Sequence, residues 1–96
     1  MNAKAASAKP TVTVKSSKKG YVTVSWSAAD VEGYDVYYGT SKTSIKTALA
    51  KGTTKKSASK KLTSKKTYYF RARAYKTVNG KKVYTDYSSV KGIKVK

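Results

Sequence analysis

One segment carries tyrosine and arginine in strict alternation, and it is the strongest candidate in the sequence for a binding surface. Its four members are separated from one another by single residues: Tyr69, Arg71, Arg73 and Tyr75. Residues two apart on a β-strand point to the same side, so these side chains would share one sheet face. Such a face could stack a sugar ring or hold a partner protein, whereas the same residue types also stabilise sheets by ordinary cross-strand pairing.

Few residues remain for catalysis or for metal binding. The sequence has no histidine and no cysteine, which excludes thiolate nucleophiles, imidazole or thiolate metal ligands and a Ser–His–Asp triad. Three acids, Asp30, Glu32 and Asp35, lie close together in the sequence. Calcium needs about six to eight oxygen ligands from a denser acidic loop, so local charge balance explains these acids better. We expect no catalytic residue, no metal site and no cofactor.

The chain is strongly basic. Lysine and arginine total 22 against 4 acids, a formal net charge of 22 − 4 = +18. This charge could attract a polyanion such as teichoic acid, nucleic acid or an anionic membrane, or it could simply keep the surface solvated. Nucleic-acid readers concentrate arginine, but the only arginines are Arg71 and Arg73 among widely spread lysines. We therefore favour the solvated surface and expect no nucleic-acid partner.

The first residues differ in composition from the rest of the chain. Residues 1–9 are rich in alanine, serine and lysine, which is typical of a disordered linker. They are too polar for a signal peptide, and no stretch of about 20 apolar residues could form a transmembrane segment. If the natural protein is secreted, we expect its signal sequence to lie outside this chain.

Apolar side chains elsewhere recur with a period of two, which predicts β-strands rather than helices. The alternation is found in four segments: residues 11–15, 21–26, 34–38 and 67–75. Asn79-Gly80 is a pair suited to a type I′ hairpin turn and predicts antiparallel strands on either side of it. The spacing of the last apolar residues around Gly92 indicates a bulge at that position.

The pattern weakens between positions 39 and 61. Ile45, Ala48 and Leu49 could form a short strand or one helical turn, and residues 57–61 could form an edge strand protected by lysines. Six or seven short strands with frequent turn signals together predict an all-β sandwich. Its expected core contains the inward-facing side chains of these segments: Val12, Val14, Val22, Val24, Trp26, Tyr34, Val36, Tyr38, Leu62, Tyr68, Phe70, Ala72, Ala74, Val90, and Ile93 or Val95.

Three features give the chain a resemblance to fibronectin type III domains: Trp26 at the end of the second strand, the run Gly33-Tyr34-x-Val36-x-Tyr38 in the third, and Leu62 six residues before Tyr68. The last spacing resembles the tyrosine corner of this sandwich class, in which the phenol bonds to the backbone upstream. The family usually has proline where this chain has Ser64, a departure that would loosen the corner and leave both anchors in place. The match extends over positions 10–95.

A finer resemblance is to the lysine- and tyrosine-rich versions in large secreted or wall-attached proteins of Gram-positive bacteria, and it rests on residues 40–42 and 67–84. It implies an immunoglobulin-like antiparallel sandwich of about seven strands over residues 10–96. In the family's strand order, Asp35 and Tyr37 lie beside the alternating segment. The surface that we call the Tyr/Arg face consists of Tyr37, Tyr69, Arg71, Arg73 and Tyr75, and we expect it to be exposed, with Asp35 as the one carboxylate beside it. We favour ordinary cross-strand pairing on this face, in which Asp35 neutralises an arginine, over a ligand site.

The resemblance implies a non-catalytic spacer or interaction module from a larger extracellular bacterial surface protein, either secreted or associated with the cell wall. Its partners would be neighbouring domains of that protein, and the isolated domain would be a monomer. The alternative is a module that binds an anionic cell-wall or carbohydrate polymer, a glycan or a protein through the Tyr/Arg face and the surrounding lysines. The family's integrin-binding Arg-Gly-Asp loop has no counterpart in this sequence, so an animal-type adhesion role does not follow.

Overall fold

The computed structural model describes residues 9–28 and 31–96, and all the regular secondary structure in these ranges is β. The strands in chain order are β1 Thr11–Lys15, β2 Tyr21–Ser27, β3 Gly33–Gly39, β4 Thr47–Thr53, β5 Ser57–Lys61, β6 Thr67–Val78, β7 Lys81–Tyr84 and β8 Lys91–Lys94. The predicted all-β class is thus confirmed. The linker expected over residues 1–9 lies outside the described residues, apart from Lys9.

Two antiparallel sheets form the predicted sandwich. The smaller sheet has the strand order β1–β2–β5. The larger sheet has the order β4–β3–β6–β7, and β8 also pairs with β6. Strands β7 and β8 lie along the same edge of β6 at different heights, since β7 pairs with Tyr75–Val78 and β8 with Thr67–Phe70.

Side-chain hydroxyls continue the ladder where the chain passes from β7 to β8. The Thr85 N–H donates to Ala74 O at 2.9 Å, and the Ala74 N–H donates to Thr85 Oγ1 at 3.0 Å. Ser88 repeats this exchange with Ala72, at 2.7 Å and 2.9 Å. Because buried backbone groups need partners, the two hydroxyls take over the accepting role that a regular strand's carbonyls would have here.

The turn between β6 and β7 is the predicted type I′ hairpin. Asn79 has φ of 51° and Gly80 has φ of 78°, both in the left-handed region that this turn requires. Glycine reaches this region without a Cβ clash, and asparagine is among the few other residues that tolerate it. The local dipeptide therefore fixes the register of β6 against β7.

The core lies between the inward faces of the two sheets. Its buried members are Val12, Val22, Val24, Trp26, Tyr34, Val36, Tyr68, Phe70, Ala72, Ala74 and Val95. Val14, Tyr38, Leu62 and Ile93 pack against this cluster and are partly buried. The core expected from the sequence differs from the observed one at two positions: Val90 is 40% exposed, and Ile45, which was not assigned to the core, is 4% exposed.

The exposure of Val90 has the same cause as the failure of another prediction. Strand β8 pairs with β6 without interruption from Lys91 to Lys94, so the bulge predicted at Gly92 is wrong. Uninterrupted alternation turns Ile93 and Val95 inward and leaves Val90 on the outer side. The irregularity lies upstream, in the segment that joins β7 to β8.

The weakly patterned segment of the sequence forms strands and contains no helical turn. Strand β4 pairs with β3, and the register shifts twice, between Tyr34 and Asp35 and between Val36 and Tyr37. Strand β5 pairs with β2 and has the bounds expected for the edge strand. A shifted register hides the simple alternation that identifies a strand in sequence, which explains why β4 was ambiguous.

Two aromatic residues anchor the sandwich through their polar atoms. The Trp26 Nε1–H donates to Lys55 O at 2.8 Å, and the indole meets Tyr34 edge-on, with ring centroids 6.4 Å apart. At the opposite pole, the Thr63 N–H donates to the Tyr68 phenol oxygen at 3.2 Å. Hydrogen bonding to the side chain and then to the backbone of Thr63 lowers the pKa of Tyr68. Both rings are buried. Burial sets how deep each ring lies in the core, and the hydrogen bond of its polar atom sets its orientation there.

Candidate functional site

Strand β6 positions most of the Tyr/Arg face. Its inward residues are buried, so the intervening Tyr69, Arg71, Arg73 and Tyr75 project from the outer side of the larger sheet. The register with β3 sets Tyr37 opposite Arg71. All five residues predicted for this face are thus brought to one sheet surface, where each is half-buried rather than fully exposed.

Asp35 was expected on this exposed surface, but it is only 1% exposed. One carboxylate oxygen accepts the Gly52 N–H at 2.9 Å, and the other accepts the Arg73 Nε–H at 3.2 Å. Strands β4 and β6 therefore reach the carboxylate from its two sides. A buried carboxylate requires such partners because desolvation disfavours its charge. The expectation of an exposed Asp35 was wrong because it took no account of this cover, whereas the predicted pairing of Asp35 with an arginine is confirmed.

Two tyrosines that the sequence analysis did not assign to the face stack on its arginines. The Arg73 Cζ lies 3.7 Å from the Tyr84 ring centroid and 5.3 Å from that of Tyr87. The Arg71 Cζ lies 4.1 Å from the Tyr87 centroid, and Tyr87 also meets Tyr37 edge-on. These are cation–π distances. The arginines and tyrosines form one interleaved layer on the outside of the sheet.

A sequence signal existed for one of these tyrosines and was absent for the other. The hairpin at Asn79 and Gly80 fixes a register in which Tyr84 lies opposite Tyr75, so counting outward from the turn finds it. Tyr87 lies in the irregular segment between β7 and β8, where no period predicts the direction of a side chain.

Stacking leaves the arginines poorly placed to meet a ligand. Arg73 already uses its Nε–H on Asp35, and its side chain is 27% exposed. The Arg71 Nε is buried and makes no hydrogen bond with any described residue. A guanidinium recognises an anion best when its planar edge is free for paired hydrogen bonds. Both guanidinium groups thus contact the tyrosine rings of the aromatic layer, and the Arg73 Nε–H is also engaged by Asp35.

At each end of the Tyr/Arg face, a glycine on the neighbouring strand lies opposite the tyrosine. Gly33 is the register partner of Tyr75, and Gly92 is the partner of Tyr69. A Cβ added at Gly92 would stand 2.8 Å from the Tyr69 ring, and one at Gly33 would collide with the Tyr75 phenol. The missing side chains allow both rings to lie close to the sheet, which sets the height of the surface at its two ends.

The Tyr69 end of the face opens into a groove of about 590 Å³, which we call the Tyr69 groove. It is lined by Lys42, Thr67, Tyr69, Val90, Gly92, Ile93 and Lys94. The Lys42 Nζ lies 5.9 Å from the Tyr69 ring centroid. Val90 supplies exposed apolar surface, and none of the lining residues is acidic. The groove combines an aromatic and aliphatic floor with cationic groups.

Asp35 and Glu32 both have structural partners. Both carboxylate oxygens of Glu32 accept hydrogen bonds from Thr77, one from its backbone N–H at 3.0 Å and one from its hydroxyl at 2.9 Å. These bonds, the backbone one foremost, lower the pKa of Glu32. Asp30, the third member of the acidic group in the sequence, lies outside the described residues. Within residues 9–28 and 31–96, no group of three or more acidic, histidine or cysteine side chains could hold a metal ion.

The described ranges contain no helix with the length and apolarity needed to cross a membrane. In comparisons with known proteins, no family model matches this chain, and no curated protein is significantly similar to it. What the molecule does must therefore be inferred from its own geometry.

Proposed function

We propose that this chain is a non-catalytic β-sandwich module, of the fibronectin type III kind, that acts as a spacer or interaction domain in a larger extracellular bacterial surface protein. Its partners are then the neighbouring domains, and its place is outside the cell or in the cell wall. The observation that carries the proposal is the placement of Thr11 and Lys96 at opposite poles of the sandwich. Strand β1 begins at Thr11, which pairs with Ser27, whereas Lys96 bonds to Gly20 at the other end of β2.

Hydrogen bonds hold the chain rigidly at the second pole. The Lys96 N–H donates to Ser16 Oγ at 2.8 Å, and Lys96 O accepts the Gly20 N–H at 2.8 Å and the Ser64 hydroxyl at 3.0 Å. Two loops, the β1–β2 loop with Ser16 and Gly20 and the β5–β6 loop with Ser64, thus hold Lys96 in place. A spacer needs such fixed attachment, because a free final segment would let an attached domain swing.

The fibronectin type III assignment is supported by two arrangements. The strands divide into a sheet of β1, β2 and β5 and a sheet that places β3 and β6 side by side, a division typical of immunoglobulin-like sandwiches. Tyr68 accepts a hydrogen bond from Thr63, a few residues upstream, as the phenol of a tyrosine corner bonds to upstream backbone.

Single-molecule energy transfer between the two poles tests the spacer role. The chain has no cysteine, so Lys9→Cys and Lys96→Cys give two unique dye positions. We expect one narrow distance distribution that stays unchanged when flexible domains are fused at either end. The matched variant Ser16→Ala removes the hydroxyl that receives the Lys96 N–H and should broaden the distribution. A broad distance distribution in the doubly labelled domain without Ser16→Ala would show that the domain is too flexible to act as a spacer.

The second candidate function is binding of an anionic cell-wall or carbohydrate polymer. The Tyr69 groove favours it, because Lys42 and Lys94 line a surface without acids. Calorimetric titration with wall teichoic acid, an acidic polysaccharide and a neutral glycan provides the test. Binding of either anion that persists at physiological salt supports a binding module. Binding that vanishes with added salt supports the spacer alone, since diffuse attraction is screened.

A further inference from the structure

We propose that the Tyr69 groove is a binding site for an acidic polysaccharide, whose pyranose ring packs on Tyr69 and whose carboxylates pair with Lys42 and Lys94. The proposal rests on the second candidate function and narrows its location to one end of the Tyr/Arg face. The sequence predicted the whole face, Tyr69 included, together with the surrounding lysines.

The electrostatic surroundings of the groove select for an anion. Lys42 and Lys94 both line it, and no lining residue is acidic. Two acids elsewhere on the larger sheet are already engaged, Asp35 with Arg73 and Glu32 with Thr77. The lysines of the groove therefore have no carboxylate of the groove to neutralise them, and an anionic ligand would supply the missing charge.

The shape and lining of the groove select for a ring. A volume of about 590 Å³ falls within the range of about 300–1,000 Å³ typical of small-ligand sites. The Tyr69 ring lies directly over Gly92, which has no side chain, and Val90 adds exposed apolar surface to the same groove. A pyranose ring has an apolar face that suits this floor and carries the acidic group at its edge, where it can reach a lysine ammonium.

The centre of the Tyr/Arg face is a poorer site for the same ligand. Arg73 is paired with Asp35 and stacked on Tyr84, while Arg71 is stacked on Tyr87. A sugar ring there would have to share the aromatic surface with two guanidinium groups that already stack on tyrosine rings. At the groove only the flexible Lys42 side chain lies over the Tyr69 ring, with its Nζ 5.9 Å from the centroid.

A charge-matched pair of double variants tests the location. The groove variant carries Lys42→Gln and Lys94→Gln, and the control carries Lys15→Gln and Lys61→Gln, which lie exposed on the smaller sheet. Both have a formal charge of 18 − 2 = +16, so diffuse attraction falls equally. With oligogalacturonate at physiological salt as the probe, we expect the groove variant to bind about five- to tenfold more weakly than the control, from the loss of two exposed ion pairs.

A second pair of variants tests the ring. Tyr69→Phe keeps an aromatic ring on Gly92, and Tyr69→Leu keeps only apolar bulk. We expect the phenylalanine variant to bind oligogalacturonate nearly as well as the parent and the leucine variant to bind clearly more weakly. Thermal unfolding of each variant separates a lost contact from a lost fold.

Further probes separate the acidic sugar from other anions. Poly(glycerol phosphate) has the charge without a pyranose ring, and oligoglutamate has the carboxylates without a sugar. Equal affinity for any of these anions would overturn the assignment to an acidic polysaccharide. Equal losses in the two double variants would overturn the groove as the site while leaving a polymer-binding function standing. Absence of binding to every anion at physiological salt would overturn both.

Discussion

Asp35 and Arg73 are directly opposed across β3 and β6, and their Oδ2 and Nε atoms lie 3.2 Å apart with the carboxylate almost fully buried. The pair joins the buried Asp35 on the outer side of the sheet to the aromatic layer, because Arg73 also stacks on Tyr84. The same guanidinium thus neutralises a buried charge and holds a surface ring. Its two contacts explain why the face is half-buried instead of open.

Removing the acid of this pair should destabilise the protein. Asp35→Asn keeps a group that can accept the Gly52 N–H and leaves Arg73 without its counter-charge. Breaking a buried pair costs about 3–5 kcal/mol, and because Arg73 is partly exposed we expect about 1–3 kcal/mol after solvent screening. Urea unfolding measures the change. The Arg73→Gln variant and the double variant complete a cycle, and a coupling energy near zero would contradict the pairing.

The Tyr68 hydroxyl should contribute to stability in addition to the buried ring. Tyr68→Phe keeps the buried ring and leaves the Thr63 N–H without its acceptor. Loss of a partner for one backbone donor costs about 1–2 kcal/mol, and the change is measured as a lower urea midpoint. Tyr84→Phe is the matched control on the exposed side of the sheet. Equal effects from the two substitutions would show that the Thr63 bond is unimportant.

Glu32 should make stability fall in acid. Its pKa is lowered in the folded protein from an ordinary value of 4.5, so the unfolded chain takes up the proton at a higher pH than the folded one does. The stabilisation is therefore complete above 4.5 and is lost as pH falls through the lowered folded pKa. Urea midpoints measured across this window should decline in the parent. Glu32→Gln should flatten the decline, and a variant that declines just as steeply would rule Glu32 out as the cause.

A methyl group at Gly33 should force a tyrosine off the sheet. The added Cβ would collide with the Tyr75 phenol, and overpacking of this kind costs about 1–3 kcal/mol. We expect Gly33→Ala to lower the melting temperature and to disturb the contact between Tyr75 and Tyr84. In a Tyr75→Ser background the obstacle is gone, so the same substitution should cost much less. An undiminished cost in that background would place the strain elsewhere.

Added salt should stabilise the fold. A formal charge of +18 on 96 residues makes the compact state repel itself, and salt at about 0.1 M screens charges separated by more than about 10 Å. The short-range Asp35–Arg73 pair is screened less, so the net effect is a rise in melting temperature between low and moderate potassium chloride. A steady fall on adding salt would show that attractive pairs outweigh the general repulsion.

The sequence determined the strands and the direction of most side chains within them. Alternation along β2 and β6 and the Asn79-Gly80 turn are local signals, because a strand's period and a turn's φ angles depend on adjacent residues only. They were sufficient to predict an all-β sandwich and to place the five residues of the Tyr/Arg face on one surface. They failed for β4, where register shifts conceal the period.

Only the tertiary structure decided what covers that surface. The burial of Asp35 depends on β4 and β6 flanking β3, and the stacking of Tyr87 on Arg71 depends on how an irregular segment runs along the edge of β6. The Tyr69 groove likewise forms from β6, β8 and Lys42, which are distant in sequence. Alternation states which way a side chain points, but contacts between distant segments determine what it meets there, and those contacts exist only once the sheets have formed.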